Sequence, residues 1–251
     1  MKRGLMAWGL ALSLALTVAT LRPQQAVLEP PSVEPAAPAF WAPPADARVL
    51  FDGGSLAAWT KADGSPTGCT VENREMVCRT GAKDAYSEEK HRDAQIHVEF
   101  RVPPMPDKKG QLRGNSGVFL MGCYEAQILD SLNNPTYADG MLGALYKFAP
   151  PLVNAARPAG EWQSYDIYFR APRCERGEVV ADAEATVVLN GVLVQNGTRM
   201  KLAPGKCRSK GQSLCAAGPV ILQDHSGFPN PPQTEMRFRN LWLRHVPLEG
   251  P

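Results

Sequence analysis

The stretch Ala185–Asn196, ATVVLNGVLVQN, reads as two β-strands joined by a tight turn. Aliphatic and β-branched residues on both sides favour a pleated backbone, and Asn190-Gly191 supplies the pair that a two-residue hairpin needs at positive φ. Working outward, the same pattern recurs. AQIHVEFRV (Ala94–Val102) alternates around Ile96, Val98 and Phe100, and EWQSYDIYFR (Glu161–Arg170) is aromatic and β-branched. PVILQDH (Pro219–His225) and EMRFRNLWLRHV (Glu235–Val246) add further strands. No apolar period of 3.6 persists long enough to make a helix. Many short strands punctuated by Gly, Pro and Asn define an all-β chain, and the expected architecture is a two-sheet jelly-roll sandwich.

The chain has 251 residues, 44% of them hydrophobic, enough for a single β domain with a substantial core. Lys2 and Arg3 precede an apolar run from Leu5 to Leu21, the pattern of an export signal. Residues 1–21 are therefore expected to be a signal peptide, with small residues at Thr17-Val18-Ala19 for cleavage, or else an uncleaved anchor, the only membrane contact expected. No Cys follows the run, which argues against a lipid attachment. Residues 22–47, dense in Pro and Ala, read as an extended linker, and the domain is expected over 48–251. A net charge of +2 without blocks of like charge gives no sign of a nucleic-acid surface, and no nucleic-acid partner is expected. Export places the domain in a periplasmic or extracellular setting.

Six cysteines suit that oxidising compartment. Cys69 and Cys78 bracket a short hairpin and are expected to be bridged. Cys207 and Cys215 bracket the polar loop RSKGQSL, where a local staple is expected too; Cys123 and Cys174 are left over, and their pairing stays open because six cysteines allow 15 connectivities. Zinc is the competing reading, but no CxxC spacing occurs and no His stands near a pair. No D-x-[DN]-x-[DN]-G loop is present either, so no metal or cofactor is expected.

One strand pair is unusual. In GNSGVFLMGCYEAQILD (Gly114–Asp130) the alternation of YEAQIL sends Glu125 and Gln127 to one face and Ala126 and Ile128 to the other. Asp130 would join the polar pair only through a bulge or beyond the strand end; otherwise it is a turn residue. A polar face is often merely solvated. Here, however, Asn115 stands nearby, and the loops ending at Tyr146 and carrying Asn154, Arg157 and Trp162 add the mixture of amides, charges and aromatic rings that sugar clefts use. The expected partner is thus an oligosaccharide or glycoside.

These residues carry a family resemblance. LFDGGSLAAW, GNSGVFLMGCYEAQILDS, ADGMLGALY, PPLVNAARPAGEWQSYDIYFRAPR, LNGVLVQN, LQDH and MRFRNLWLR occur in the order seen in the 3-keto-disaccharide hydrolase family, also described as 3-keto-glucoside 1,2-lyases and 3-keto-2-hydroxy-glucal hydratases. The chain resembles that family from about Val49 to Val246, and departs from it in its cysteines and in SGFPNPPQTE, an insertion after LQDH. The resemblance implies a concanavalin A-like lectin/glucanase jelly roll, in agreement with the strand pattern.

It also implies chemistry on an oxidised sugar. A C3 carbonyl acidifies the C2 hydrogen, the C1 substituent leaves by β-elimination, and water then adds to the 2-hydroxy-glycal; the sum is hydrolysis. The route needs a base, an acid for the leaving oxygen and a donor to the developing enolate. Glu125 is the first candidate for proton transfer and Asp130 the second. His225 is a further candidate, or a histidine bonded within its own loop. Asn115, Gln127, Tyr146 and Asn154 are candidates for binding sugar hydroxyls, with Arg157 or Arg239 supplying positive charge. Two other classes compete. A glycosidase acting on unmodified glycans would pair Glu125 with Asp130 at about 5 to 5.5 Å, although Gln127 stands where jelly-roll glucanases carry a third carboxylate. A non-catalytic sugar-binding module would show no turnover at all.

Overall fold

The computed structural model describes residues 29–35, 42–227 and 232–246. Its strands are β1 (Arg48–Phe51), β2 (Trp59–Thr60), β3 (Thr70–Glu72), β4 (Glu75–Arg79), β5 (Ala85–His91), β6 (Ala94–Arg101), β7 (Asn115–Leu120) and β8 (Tyr124–Leu129). The second half adds β9 (Gln163–Arg170), β10 (Arg173–Glu175), β11 (Glu178–Ala181), β12 (Ala183–Leu189), β13 (Val192–Met200), β14 (Gly218–Leu222) and β15 (Glu235–His245). Asn190-Gly191, both at positive φ, close the β12–β13 hairpin as the sequence requires.

An eight-stranded sheet runs β13-β12-β9-β6-β15-β4-β3, with β1 paired to β15, and faces a five-stranded sheet ordered β2-β5-β14-β7-β8. The pairings within both sheets are antiparallel. Strict alternation builds the core between them. Ile96, Val98, Phe100, Tyr165, Ile167 and Phe169 of the large sheet meet Val118, Leu120, Tyr124, Ala126 and Ile128 of the small one. Phe238 joins that core, whereas Trp162 and Trp242 do not. Trp242 is buried on the outer face of the large sheet, stacked on His97, and Trp162 lies under the guanidinium groups of Arg101 and Arg239.

The leader does not stay wholly apart. Residues 1–28 and 36–41 lie outside the described residues, and the expected export signal falls among them. Pro31–Val33, expected to be unpaired linker, instead docks on the body: Asn154 N–H donates to the Pro31 carbonyl (2.8 Å) and Val33 N–H donates to the Asn154 carbonyl (3.0 Å). Extended Pro-rich backbone keeps free donors and acceptors, and a complementary loop edge satisfies them.

Of the two expected bridges, one forms and the other does not. Cys69 bonds Cys78 across β3–β4 as expected, but Cys207 bonds Cys123 and Cys215 bonds Cys174. The reason lies in where the 201–217 loop goes. Ser209 N–H donates to the Gly122 carbonyl (3.0 Å), seating the loop on the β7–β8 turn rather than closing it on itself. Cys207 thereby reaches the turn residue Cys123, and Cys215 is left beside the β10–β11 hairpin. Non-reducing peptide mapping should recover these three pairs. Because the Cys123–Cys207 bond closes 84 residues, replacing both cysteines by Ala should lower unfolding free energy by roughly 3–5 kcal/mol in denaturant titration.

Candidate functional site

β7 and β8 are buried along their whole length, on both faces. One face is the core; the other needs a roof. In their register Phe119 opposes Glu125, Gly117 opposes Gln127 and Asn115 opposes Leu129, so this polar set shares the face turned away from the large sheet. The pairing runs without a bulge. The roof comes from two directions. Met141–Ala149 lies along the free edge of β8, held by Gln127 N–H to the Ala144 carbonyl (3.0 Å) and Tyr146 N–H to the Glu125 carbonyl (2.9 Å). Tyr165, rising from the large sheet, donates to the Gln127 carbonyl and accepts from Gly143 N–H (2.7 Å). From the other side, the stapled 201–217 loop brings Arg208 over the Phe119 ring, 5.5 Å from its centroid.

Between these covers lies a cavity of about 290 Å³, with Glu125, Gln127 and Gln111 at one end and His225, Gln223 and Tyr146 around it. Arg208, Asp224 and Gly227 line it as well and also line a neighbouring compartment of about 370 Å³ that holds Lys61, Asp63, Lys83, Asp84 and Tyr86. Arg208 is fixed by a two-pronged contact with Asp84 (Nε–Oδ2 2.6 Å, Nη2–Oδ1 2.8 Å). Asp224 accepts from the backbone N–H of Gly81 (3.1 Å) and Lys83 (2.9 Å) and from the Ser226 hydroxyl (2.7 Å). Gln223 Oε1 is buried with no hydrogen-bond partner among the described residues, an acceptor suited to a ligand hydroxyl.

Glu125 is the pivot of the cavity. Its carboxyl lies across Gly117, where any Cβ would come within 2.3 Å of Oε1, so only glycine leaves that space. Burial pushes the carboxyl up from the ordinary 4.5 to about 8; the Arg208 charge opposes the shift and Asp84 adds to it. Burial and the Arg208 charge both act against a charged imidazole at His225, holding its pKa below the ordinary value and favouring the neutral ring. Tyr137 and Tyr146 share a hydroxyl contact of 3.0 Å, with the Lys147 ammonium 3.6 Å from the Tyr137 ring centroid.

Four sequence candidates thus meet in one cavity: Glu125, Gln127, His225 and Tyr146. Asn115 stands behind Gln127, its Oδ1 accepting from Gln127 Nε2 at 3.3 Å. The remaining four lie elsewhere. Asp130, just past the end of β8, gives its N–H to the Gly114 carbonyl (2.9 Å) and its carboxylate to Arg113 (3.3 Å). Asn154 anchors the leader and donates to the Ser131 carbonyl (3.1 Å). Arg157 donates to the Trp162 carbonyl (2.9 Å), and Arg239 pairs with Glu99 (2.6 Å) on the outer face of the large sheet. Gln223 and Asp224 fall within the LQDH motif beside the candidate His225, whereas Gln111 carries no mark in the sequence and only the position of Arg208 beside a cysteine hints that it is pinned.

Among the described residues, no group of three or more His, Cys, Asp or Glu side chains is placed to hold a metal ion. A larger cavity of about 910 Å³ lies between β11 and the 199–215 segment, but Glu178, Arg199 and Lys201 of its lining are exposed to solvent. The smaller cavity has the chemistry: a desolvated acid, a neutral imidazole, a fixed cation and aromatic rims.

An amide- and aromatic-lined cavity on the outer face of a jelly-roll sheet is the site of a carbohydrate-active protein. The chain belongs to the family described as the 3-keto-alpha-glucoside-1,2-lyase-like domain, which it matches over residues 46–244. A crystal structure from Parabacteroides distasonis ATCC 8503, described as a candidate glycosyl hydrolase, is similar at 38% identity and a TM-score of 0.74, covering 86% of this chain and 92% of that one. A second candidate glycosyl hydrolase from the same organism shares the fold at 17% identity and a TM-score of 0.56, covering 80% of this chain and 94% of its own. No curated protein matches the chain.

The raised Glu125 carboxyl has a measurable cost. The folded protein keeps a proton that the unfolded chain releases from pH 4.5 upward, so stability falls as pH rises through the window from 4.5 to about 8. Glu125→Gln removes that charge while keeping shape. It should leave stability near pH 4.5 little changed and raise it above pH 8 by roughly 2 kcal/mol or more, read from urea melts at the two pH values.

Proposed function

We propose that this protein cleaves a 3-keto-glycoside or 3-keto-disaccharide by elimination across C1–C2 and then hydrates the product. The observation that carries the reading is the pairing of an enclosed, readily protonated carboxyl, Glu125, with His225 on the lining of one cavity. Elimination next to a ketone needs a group that gives a proton and one that takes it; burial raises the Glu125 carboxyl toward neutrality and keeps the His225 imidazole neutral and able to accept. Gln223 and Gln127 offer amide contacts to hydroxyls, Tyr146 and Tyr137 offer ring faces, and Arg208 offers a fixed positive charge for the developing enolate.

The glycosidase reading is supported less. Asp130, its second carboxylate, does not line the cavity, and Asp224, which does, is already engaged by two backbone N–H groups and a hydroxyl. Turnover assays with matched 3-keto and unmodified glycosides test the proposal directly. Glu125→Gln should lower turnover of a 3-keto-glucoside by roughly 10²-fold or more with binding largely retained. An unchanged rate would remove Glu125 from the mechanism, and turnover of unmodified glycosides alone would favour the glycosidase.

Export is part of the same proposal. Three disulfides support an oxidising compartment, and no helix among the described residues is long and apolar enough to cross a membrane. Cell fractionation should find the protein in the periplasm or medium; full-length protein with free thiols in the cytosol would refute this.

A further inference from the structure

We propose that Gln127 is a positioning residue whose amide oxygen keeps Glu125 in its protonated form, so that Glu125 enters the reaction as the acid and His225 as the base. The assignment of acid and base rests on the keto-glycoside reading; the protonation itself does not.

Two main-chain carbonyls, which can only accept, fix the orientation of the amides. Gln111 Nε2 donates to the Gly140 carbonyl (3.0 Å) and to Thr136 Oγ1 (3.0 Å), so Gln111 Oε1 points the other way, into the site. Asn115 Nδ2 donates to the Gln111 carbonyl (3.0 Å) and to Gln111 Oε1 (3.1 Å), which turns Asn115 Oδ1 toward Gln127. Gln127 Nε2 therefore faces two anchored acceptors, Gln111 Oε1 at 3.2 Å and Asn115 Oδ1 at 3.3 Å. Its other end, the amide oxygen, lies 2.9 Å from Glu125 Oε1. Two acceptors at that distance repel unless one bears a proton, and an amide oxygen bears none, so the carboxyl carries it.

Turning the Gln127 amide over would give its N–H to an ionised Glu125 and to the Ser116 carbonyl, 3.3 Å away. It would also set the amide oxygen against Gln111 Oε1 and Asn115 Oδ1, neither of which is free to turn. Ser116 favours the turned amide and two anchored acceptors oppose it, so the unturned arrangement wins. The charged and titratable groups facing Glu125 are consistent with a neutral carboxyl. Arg208 opposes protonation, but its guanidinium is bound to Asp84, whose charge acts the other way. Asp224 and His225 approach from beyond β14, and Tyr137 and Tyr146 from the β8 edge, with Lys147 above the Tyr137 ring.

The assignment fixes the direction of each proton. In the elimination His225 takes the C2 proton, the C2–H electron pair becomes the C1=C2 bond, and the C1–O bond breaks with its pair on the leaving oxygen, which takes the proton of Glu125. In the hydration the Glu125 carboxylate removes a proton from water, the oxygen bonds C1, and His225 returns a proton to C2. Both groups end as they began, and one water is consumed.

The sign of one shift decides the matter. Carbon-13 NMR of protein labelled at the glutamate carboxyl carbons should show Glu125 titrating far above the surface glutamates. Gln127→Met, which deletes the acceptor and keeps the volume, should lower that pKa by about one unit, a tenfold change in the ionisation constant. Asn115→Ala, which frees one anchor, should shift it the same way. If the amide nitrogen faced an ionised Glu125, Gln127→Met would raise the pKa instead. A rise, no shift, or a Glu125 that ionises like a surface glutamate overturns the proposal. The alkaline limb of kcat/KM on a 3-keto-glucoside should move down with the NMR value in Gln127→Met. A protein that titrates as stated yet leaves 3-keto-glucosides intact keeps the Gln127 assignment and loses the keto-glycoside reading.

Discussion

Burying a carboxyl on the outer face of a sheet is the constraint around which the rest of this molecule is arranged. Glu125 cannot ionise freely where it stands, because the β8 edge segment and the Arg208 loop keep water from it. Each cover depends on a distant attachment. The edge segment is tied through Tyr165 to the large sheet, and the loop is tied through Cys207 to the β7–β8 turn. Beneath the carboxyl, Gly117 leaves the space it occupies. Loss of any of the three would open or fill the cavity and return the group to an ordinary acidity, which links packing far from the chemistry to the chemistry itself.

The Cys123–Cys207 bond carries a second consequence. The 201–217 loop has little secondary structure of its own, and a loop of that kind would sample many positions over the sheet. Covalent attachment one residue before Arg208 limits that freedom at the point where a guanidinium has to be placed, and the contact with Asp84 completes the placement. Asp84 in turn accepts from Asp224 N–H (2.9 Å), so loop, β5 and the segment after β14 converge on one carboxylate. A staple closing Cys207 on Cys215 would have shaped the loop without fixing where it sits.

What could be read in the sequence was whatever rests on local periodicity. The two-residue alternation of YEAQIL placed Glu125 and Gln127 on one face, Asn190-Gly191 announced a hairpin, and the strand count with the order of motifs pointed to the jelly roll. What escaped depends on contacts between distant segments. Asp130 carries the right functional group, but the β7–β8 register continues unbulged to the end of β8, and Arg113 claims its carboxylate. Arg239 belongs to the opposite sheet, a fact that alternation within one strand does not disclose. Asn154 and Arg157 bind neighbouring backbone. Gln111, in a short 3₁₀ turn, has no pattern to mark it, although it orients the amide nearest Glu125.

The two sheets also show why burial alone does not make a site. Glu99 is buried too, on the outer face of the large sheet. Burial raises its pKa too, yet His97, Asn240 and Arg239 all bond to it and outweigh burial, holding it ionised at about 2. His97 is itself bound to Asp166 (2.8 Å) and covered by Trp242. Such a carboxylate has its partners already and resists any change of protonation near neutrality. Glu125 is also enclosed, with one guanidinium nearby, shared with Asp84, and an amide oxygen against it. Two buried glutamates are thus driven to opposite ends of the carboxyl range, Glu99 by the partners that bond it and Glu125 by burial without such partners, and the one left short of donors is the one that can exchange a proton near neutrality.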